Sequence, residues 1–297
     1  MPTPMQGSDR PLLAVGLLCV ATLCFAVMAG LVKSLSVDIS VPQIIWGRYF
    51  FHILLIVVIF PLKISTILIS GRPDLQILRG VLVLGATTCA FTALQYIPMA
   101  DVAAIGFVGP LLVIAMAASL LHEHVGLRRW IAVGVGFMGV LVILRPGSGI
   151  MHWASILPLG MACCYAGYQI LTRFNRGAAT PLTSLFYTAL VGSIATSLVV
   201  PFFWQPPDAI QWLTLVGIGL FAAAGHLMVI KAYELAPASI VAPFIYSELL
   251  WNVIVGWMIF AEIPDVWMLT GAAILMLSGL YLLRTKAGNH GKTAIRN

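Results

Sequence analysis

The sequence predicts an all-α integral membrane protein of ten transmembrane helices, built as two inverted five-helix repeats. Three observations carry that prediction. The 297 residues are 61% hydrophobic and only 9% charged, where a soluble domain is about 25% charged. The apolar residues fall into ten runs, nearly all near the roughly 20 residues a helix needs to cross a hydrocarbon core about 30 Å thick. The second half of the chain repeats the first.

The expected spans cover 12–31, 41–61, 78–97, 102–121, 130–144, 153–171, 184–203, 212–232, 240–261 and 266–283. Between them lie turn-forming stretches such as "SGRPD", "YIPMAD", "RPGSG" and "WQPPDA", where Pro, Gly, Asp and charges end apolar helices. Short alternating strands are absent, which argues against a barrel, and the first span has no cleavage site expected of a signal peptide. Cys19, Cys24, Cys89, Cys163 and Cys164 lie inside apolar runs without metal-ligand or redox spacing, so they read as small core hydrophobes.

Basic residues orient the spans. With the N-terminus inside, thirteen Lys and Arg, from Arg10 to Arg296, fall in inner segments and only Lys33 and Arg145 in outer ones; Arg48 lies within a span. The net charge of +6 is therefore a topology signal and does not argue for a nucleic-acid partner. Trp46, Trp153, Trp204, Trp212 and Trp267 sit near the outer ends, as an interfacial belt requires.

At an offset of 139 residues, the stretch from Ala93 to Arg145 lies over the stretch from Ala232 to Arg284 without a gap. Pro98 meets Pro237, Glu123 meets Glu262, and "CFAVMAGLVK" meets "CYAGYQILTR" at an offset of 140. The expected units are 10–147 and 151–286, with 287–297 as a solvated tail. Five spans per unit is odd, so the second enters the membrane upside down. Many secondary transporters are built this way, with the substrate near mid-membrane between the halves.

The stretch "ALQYIPMADVAAIGFVGPLLVIAMAASLLHEHVGLRRWIAVGVGFMGVLVIL" and its second copy "ELAPASIVAPFIYSELLWNVIVGWMIFAEIPDVWMLTGAAILMLSGLYLL" resemble the end of an EamA repeat. The shared pattern is a short Ala-Leu-x-x-x-Pro link, a span, a Glu at its end and a Gly-rich final span. Over its whole length the chain resembles the drug/metabolite transporter superfamily, EamA type. That resemblance implies transport of a small molecule, and it implies that the fifth and tenth spans, nearly free of polar residues, flank the bundle or form a homodimer contact.

Two charges inside spans stand out. Arg48 lies about seven residues, or about 10 Å, from the outer end of the second span. It either snorkels to the headgroups or faces a cavity, where its forked donors suit a carboxylate, a phosphate or a pairing acid. Glu248 lies near the middle of the ninth span, where snorkelling is difficult; it pairs with Arg48 or serves as a cavity acid able to carry a coupling proton. Tyr246 and Asn252 lie about one turn away on the same helix, and His52 is one turn beyond Arg48. His226, Tyr165, Tyr168 and Gln169 are further cavity candidates, packing being the alternative for the histidines. Pro243 and Pro110 are candidate hinges. Arg79 and Lys231, near inner ends, are expected to anchor or snorkel; Glu123 and Glu262 read as helix-end residues.

Walker A, HExxH and GxSxG patterns are absent, and no resident cofactor or metal is implied. The expected function is secondary transport of a small polar metabolite by alternating access, foremost export of an amino acid or related compound. Uptake of a vitamin or cofactor such as riboflavin or S-adenosylmethionine comes next, also because the "RG" at 79–80 resembles that branch. Multidrug efflux, and a non-transporting receptor or enzyme, follow. The expected setting is a bacterial inner membrane, with both termini cytoplasmic.

Overall fold

The structure, a computed structural model, describes residues 10–120, 126–146, 152–174 and 179–293. Glu123 and the expected junction between the repeats at 147–151 lie outside the described residues. Thirteen α-helices are described: α1 Pro11–Leu35, α2 Val41–Ile59, α3 Ile64–Ile67, α4 Pro73–Tyr96, α5 Met99–Gly106, α6 Gly109–Leu120, α7 Leu127–Leu144, α8 Leu157–Phe174, α9 Pro181–Val199, α10 Ala209–Leu235, α11 Ala238–Val241, α12 Ser247–Phe260 and α13 Val266–Thr293. Among them and their short 3₁₀ extensions, nine stretches are long and apolar enough to cross a membrane, and Val266–Leu282 is a tenth, shorter apolar run.

The helices begin where local chemistry tells them to. Proline stands in the first two positions of α1, α2, α4 and α9, where its missing N–H is no loss. Asp208 opens α10 with a capping box: its carboxylate accepts from Gln211 N at 2.7 Å, and the Gln211 side chain accepts from Asp208 N at 2.9 Å. Two spans are broken. The fourth divides into α5 and α6 at Phe107–Val108, and the ninth into α11, a 3₁₀ turn Ala242–Tyr246, and α12. Pro110 is the second residue of α6, and Pro243 sits in the 3₁₀ turn. The last helix runs to Thr293, past the expected end of its span.

Packing follows the repeat. Helix α1 lies against α10 and α12, and its mate α8 lies against α4, α5 and α6; α2 packs on α10 as α9 packs on α4; α7 packs on its own mate α13. The correspondence reaches single contacts. A methyl placed on Gly80 would lie 2.7 Å from Val191 Cβ, and one on Gly219 would lie 2.4 Å from Phe51 Cβ. Gly80 and Gly219 are 139 residues apart, Phe51 and Val191 140 apart, so these are one contact seen twice. Between α7 and α13, Gly139 and Gly271 meet so closely that a methyl on Gly271 would lie 2.5 Å from Gly139 O. The partners of that pair at offset 139, Ser278 and Ala132, also meet, through Ser278 Oγ donating to Ala132 O at 2.6 Å. At the broken spans the equivalent residues Phe107 and Tyr246 touch each other, ring centroids 4.9 Å apart. Residues related by a two-fold axis meet only on that axis, so it runs through this contact.

Large apolar side chains such as Leu12, Val58, Leu198, Met258 and Leu277 cover the outside, as a lipid-facing surface requires. Cys163 is on that surface; Cys24 is buried, and Cys19, Cys89 and Cys164 are intermediate, so the expectation that all five are core residues fails for Cys163.

Candidate functional site

Polar side chains gather in two groups inside the bundle. The first is built on α2. Arg48 is 6% exposed, so it does not snorkel to a headgroup. Its guanidinium lies 4.5 Å from the centre of the Tyr49 ring and 5.9 Å from that of Phe91, and its Nη1 donates to Thr87 Oγ1 at 3.1 Å. The Thr87 hydroxyl spends its one proton on Val83 O at 2.9 Å, leaving two lone pairs. Arg48 takes one and the Tyr49 hydroxyl, 2.9 Å away, donates to the other. Gly192 on α9 makes room for this arrangement, since a methyl there would lie 2.3 Å from Tyr49 Cδ1.

One turn further along, His52 is 2% exposed and stacks on His226 of α10, centroids 5.8 Å apart and planes at 19°. Phe25 of α1 packs against His226, with centroids 5.0 Å apart. Neither nitrogen of His52 has a hydrogen-bond partner, and neither does Arg48 Nε.

The second group is built on α8. Tyr165 and Tyr168 stack at 5.7 Å, with Gln169 next along the same helix. Tyr165 is 42% exposed, and Glu248 stands in the first turn of α12. An acid there suits the positive end of the helix dipole. Glu248 and Arg48 are not paired with each other, and neither joins any ion pair among the described residues.

Sequence reasoning missed one member. Arg79, expected to anchor or snorkel at an inner end, is only 2% exposed and ties three helices together. Its Nη1 donates to Gln76 Oε1 at 2.7 Å and to Ser184 Oγ of α9 at 2.9 Å; its Nη2 donates to the Tyr168 hydroxyl at 3.2 Å, with that ring 4.8 Å from the guanidinium. The signal was Pro73, which starts the helix and places Arg79 nearly two turns inside it. Lys231 is exposed and pairs with Glu234 at 2.8 Å, as an anchoring residue would.

Two candidates stand apart. The Asn252 side chain donates to Glu248 O at 2.8 Å, and Asn252 lines a separate cavity of about 100 Å³ with Asp101, Glu262 and Asp265. Tyr246 packs on Phe107, and its hydroxyl lies against Gly279 so tightly that a methyl there would not fit. Beside the Asn252 cavity, Glu262 holds Lys33 at 2.5 Å and accepts from Met99 N at 2.9 Å, tying α1, α5 and the end of α12 together.

The arrangement offers forked cationic donors, one acid and a tyrosine pair inside an apolar bundle, with no group of metal ligands among the described residues. The chemistry of this lining suits a small polar molecule, and the inverted-repeat fold is that of a membrane transporter. The chain belongs to the EamA-like transporter family, which matches residues 12–145 and again 152–285. It is 30% identical to the riboflavin transporter of Vibrio cholerae serotype O1, over 94% of this chain and 95% of that one. It is 26% identical to the S-adenosylmethionine uptake transporter of Rickettsia conorii, over 84% and 85%. It is 27% identical to the pseudopaline exporter CntI of Pseudomonas aeruginosa, over 90% and 95%. A solved crystal structure superimposes with a TM-score of 0.63 at 15% identity, covering 92% of this chain and 98% of that one, which speaks for the fold.

Proposed function

We propose that this protein is a secondary transporter that moves a small polar metabolite across a bacterial inner membrane by alternating access, with Arg48 and Glu248 as its principal substrate contacts. The observation that carries this reading is that Arg48 is buried and Glu248 half-buried in the bundle, and neither has a counter-ion among the described residues. An ionised group held away from water needs a partner, and the cargo supplies it. Arg48 takes an acidic group, the Tyr165–Tyr168 pair takes a flat or apolar portion, and Glu248 takes a cationic or proton-donating group or carries a coupling proton. The stacked histidines continue the Arg48 wall. The two repeats, 10–147 and 151–286, are the moving bodies, hinged at the breaks beside Pro110 and Pro243. Both termini lie in the cytoplasm, as the basic residues require, and α7 with α13 offers a homodimer face.

Two substrate classes stand side by side. Export of an amino acid or related metabolite follows from the sequence reading, and similarity to the pseudopaline exporter supports it. Uptake of a vitamin or cofactor is supported as well, by similarity to the riboflavin and S-adenosylmethionine transporters. Untargeted metabolite profiling of cells and medium, with and without expression and with Glu248→Gln as control, separates them. A compound gathering in the medium only with the native protein marks export; one leaving the medium and gathering in cells marks uptake. Normal flux through both Arg48→Ala and Glu248→Gln, each inserted in the membrane, refutes the site assignment.

A further inference from the structure

Arg79 is unexplained by packing alone. Among the described residues, the buried side-chain nitrogens without a partner are Arg48 Nε, Arg79 Nε and the two of His52. Each belongs to α2 or α4, and no buried side-chain oxygen is left in the same condition. Both arginine Nε–H groups are donors, and of the two His52 nitrogens one is a donor and the other an acceptor, so unpartnered donors outnumber unpartnered acceptors. Arginine cannot shed its charge to relieve this. Every partner of Arg79 is neutral: the Gln76 amide, the Ser184 hydroxyl and the Tyr168 hydroxyl and ring. Gln76 also donates to Ser184 Oγ at 3.1 Å, so that hydroxyl is shared between two donors.

Arg48 and Arg79 stand at two depths along one helix. Arg48 is anchored on Thr87 of α4, and Arg79 is eight residues earlier on α4. At 1.5 Å per residue the two levels are about 12 Å apart. The Tyr168 ring that covers Arg79 stacks on Tyr165, the other ring of the pair assigned to the cargo above. Arg79 thus borders the same lining as the contacts assigned above, one level further along. Helices α4, α8 and α9 meet at Arg79, and they come from both repeats, so a movement of one repeat against the other changes what covers it.

We propose that Arg79 is a second anion-binding residue on the transport path, and that the cargo bears acidic groups and enters with net negative charge. This rests on the transporter reading. Arg48 holds the acidic group at one level and Arg79 receives an acidic group at the other, each supplying the forked donors that carboxylate or phosphate requires.

The test uses the purified full-length protein in detergent, with inorganic phosphate as probe against sodium gluconate at matched ionic strength, reading thermal unfolding. Phosphate raises the Tm of the native protein in a saturable way, and Arg48→Gln and Arg79→Gln each weaken the apparent affinity tenfold or more. Arg79→Lys keeps the charge but not the fork; it retains a phosphate response even where its Tm without phosphate falls, which a purely structural strut would not produce. A response lost in Arg48→Gln but intact in Arg79→Gln overturns the role of Arg79 and leaves the transporter reading standing. A native protein that does not respond to phosphate, or a response unchanged in both variants, overturns the anion path. Metabolite flux that still depends on Glu248 would, in either case, keep transport itself intact.

Discussion

Replacing Thr87 by valine tests how Arg48 is held. The change keeps the shape of the side chain and removes a hydroxyl that accepts from both Arg48 Nη1 at 3.1 Å and the Tyr49 hydroxyl at 2.9 Å. Both donors are on buried residues, Arg48 at 6% and Tyr49 at 1% exposure. A buried donor left without its acceptor costs about 1–3 kcal/mol, and more when charged. Two such donors give about 2–6 kcal/mol for Thr87→Val. Thr87→Ser keeps the acceptor and loses one methyl, about 0.8 kcal/mol. Thermal unfolding of the purified protein, followed by tryptophan fluorescence, therefore places Val well below Ser, with Ser just below the native protein. With Arg48 as the proposed substrate contact, transport falls in the same order, because a guanidinium without its anchor is no longer held at a fixed place. A valine variant as stable as the serine variant refutes the hydroxyl as the anchor.

Two further substitutions probe the frame. Gly271→Ala drives a methyl to 2.5 Å from the carbonyl oxygen of Gly139, which cannot rotate away; it lowers the Tm by an overpacking cost of about 1–3 kcal/mol, whereas Gly134→Ala, with nothing within 4 Å, leaves the Tm unchanged or raised. Asp208→Ala removes the cap of α10 and costs about 0.5–2 kcal/mol, and Asp208→Asn, still able to accept from Gln211 N, restores most of it; equal loss in both variants would refute the capping account.

The spans were legible because a bilayer demands long apolar runs, and the repeat was legible because Pro98, Glu123 and Arg145 recur as Pro237, Glu262 and Arg284. Arg79 was misread for a physical reason. The third span was drawn from position 78, where continuous apolarity begins, but the helix starts at Pro73. Helix formation does not need apolar residues, so Asp74 and Gln76 belong to the first turns and Arg79 is drawn inside. Thr87 and Tyr49 gave no signal, since a neutral hydroxyl in a span looks the same whether it bonds its own helix or holds an arginine. The break at Phe107–Val108 was equally quiet: Pro110 pointed to it from inside the following helix, three residues beyond Phe107. Asn252 shared a face with Glu248 by spacing, yet in place its amide turns back to the carbonyl of Glu248.

The backbone obeys its two-fold, but the charged interior does not. Arg48 corresponds to Thr188, Arg79 to Ile218, His52 to Gly192, Glu248 to Gly109 and His226 to Thr87. Were the halves chemically alike, exchanging their conformations would turn the molecule into its own inverted image, and the two access states of the proposed alternating-access cycle would be degenerate in energy. The unmatched side chains lift that degeneracy. Whatever preference the empty carrier has for facing one side of the membrane is then written in these few residues, leaving the helical frame free to serve either direction.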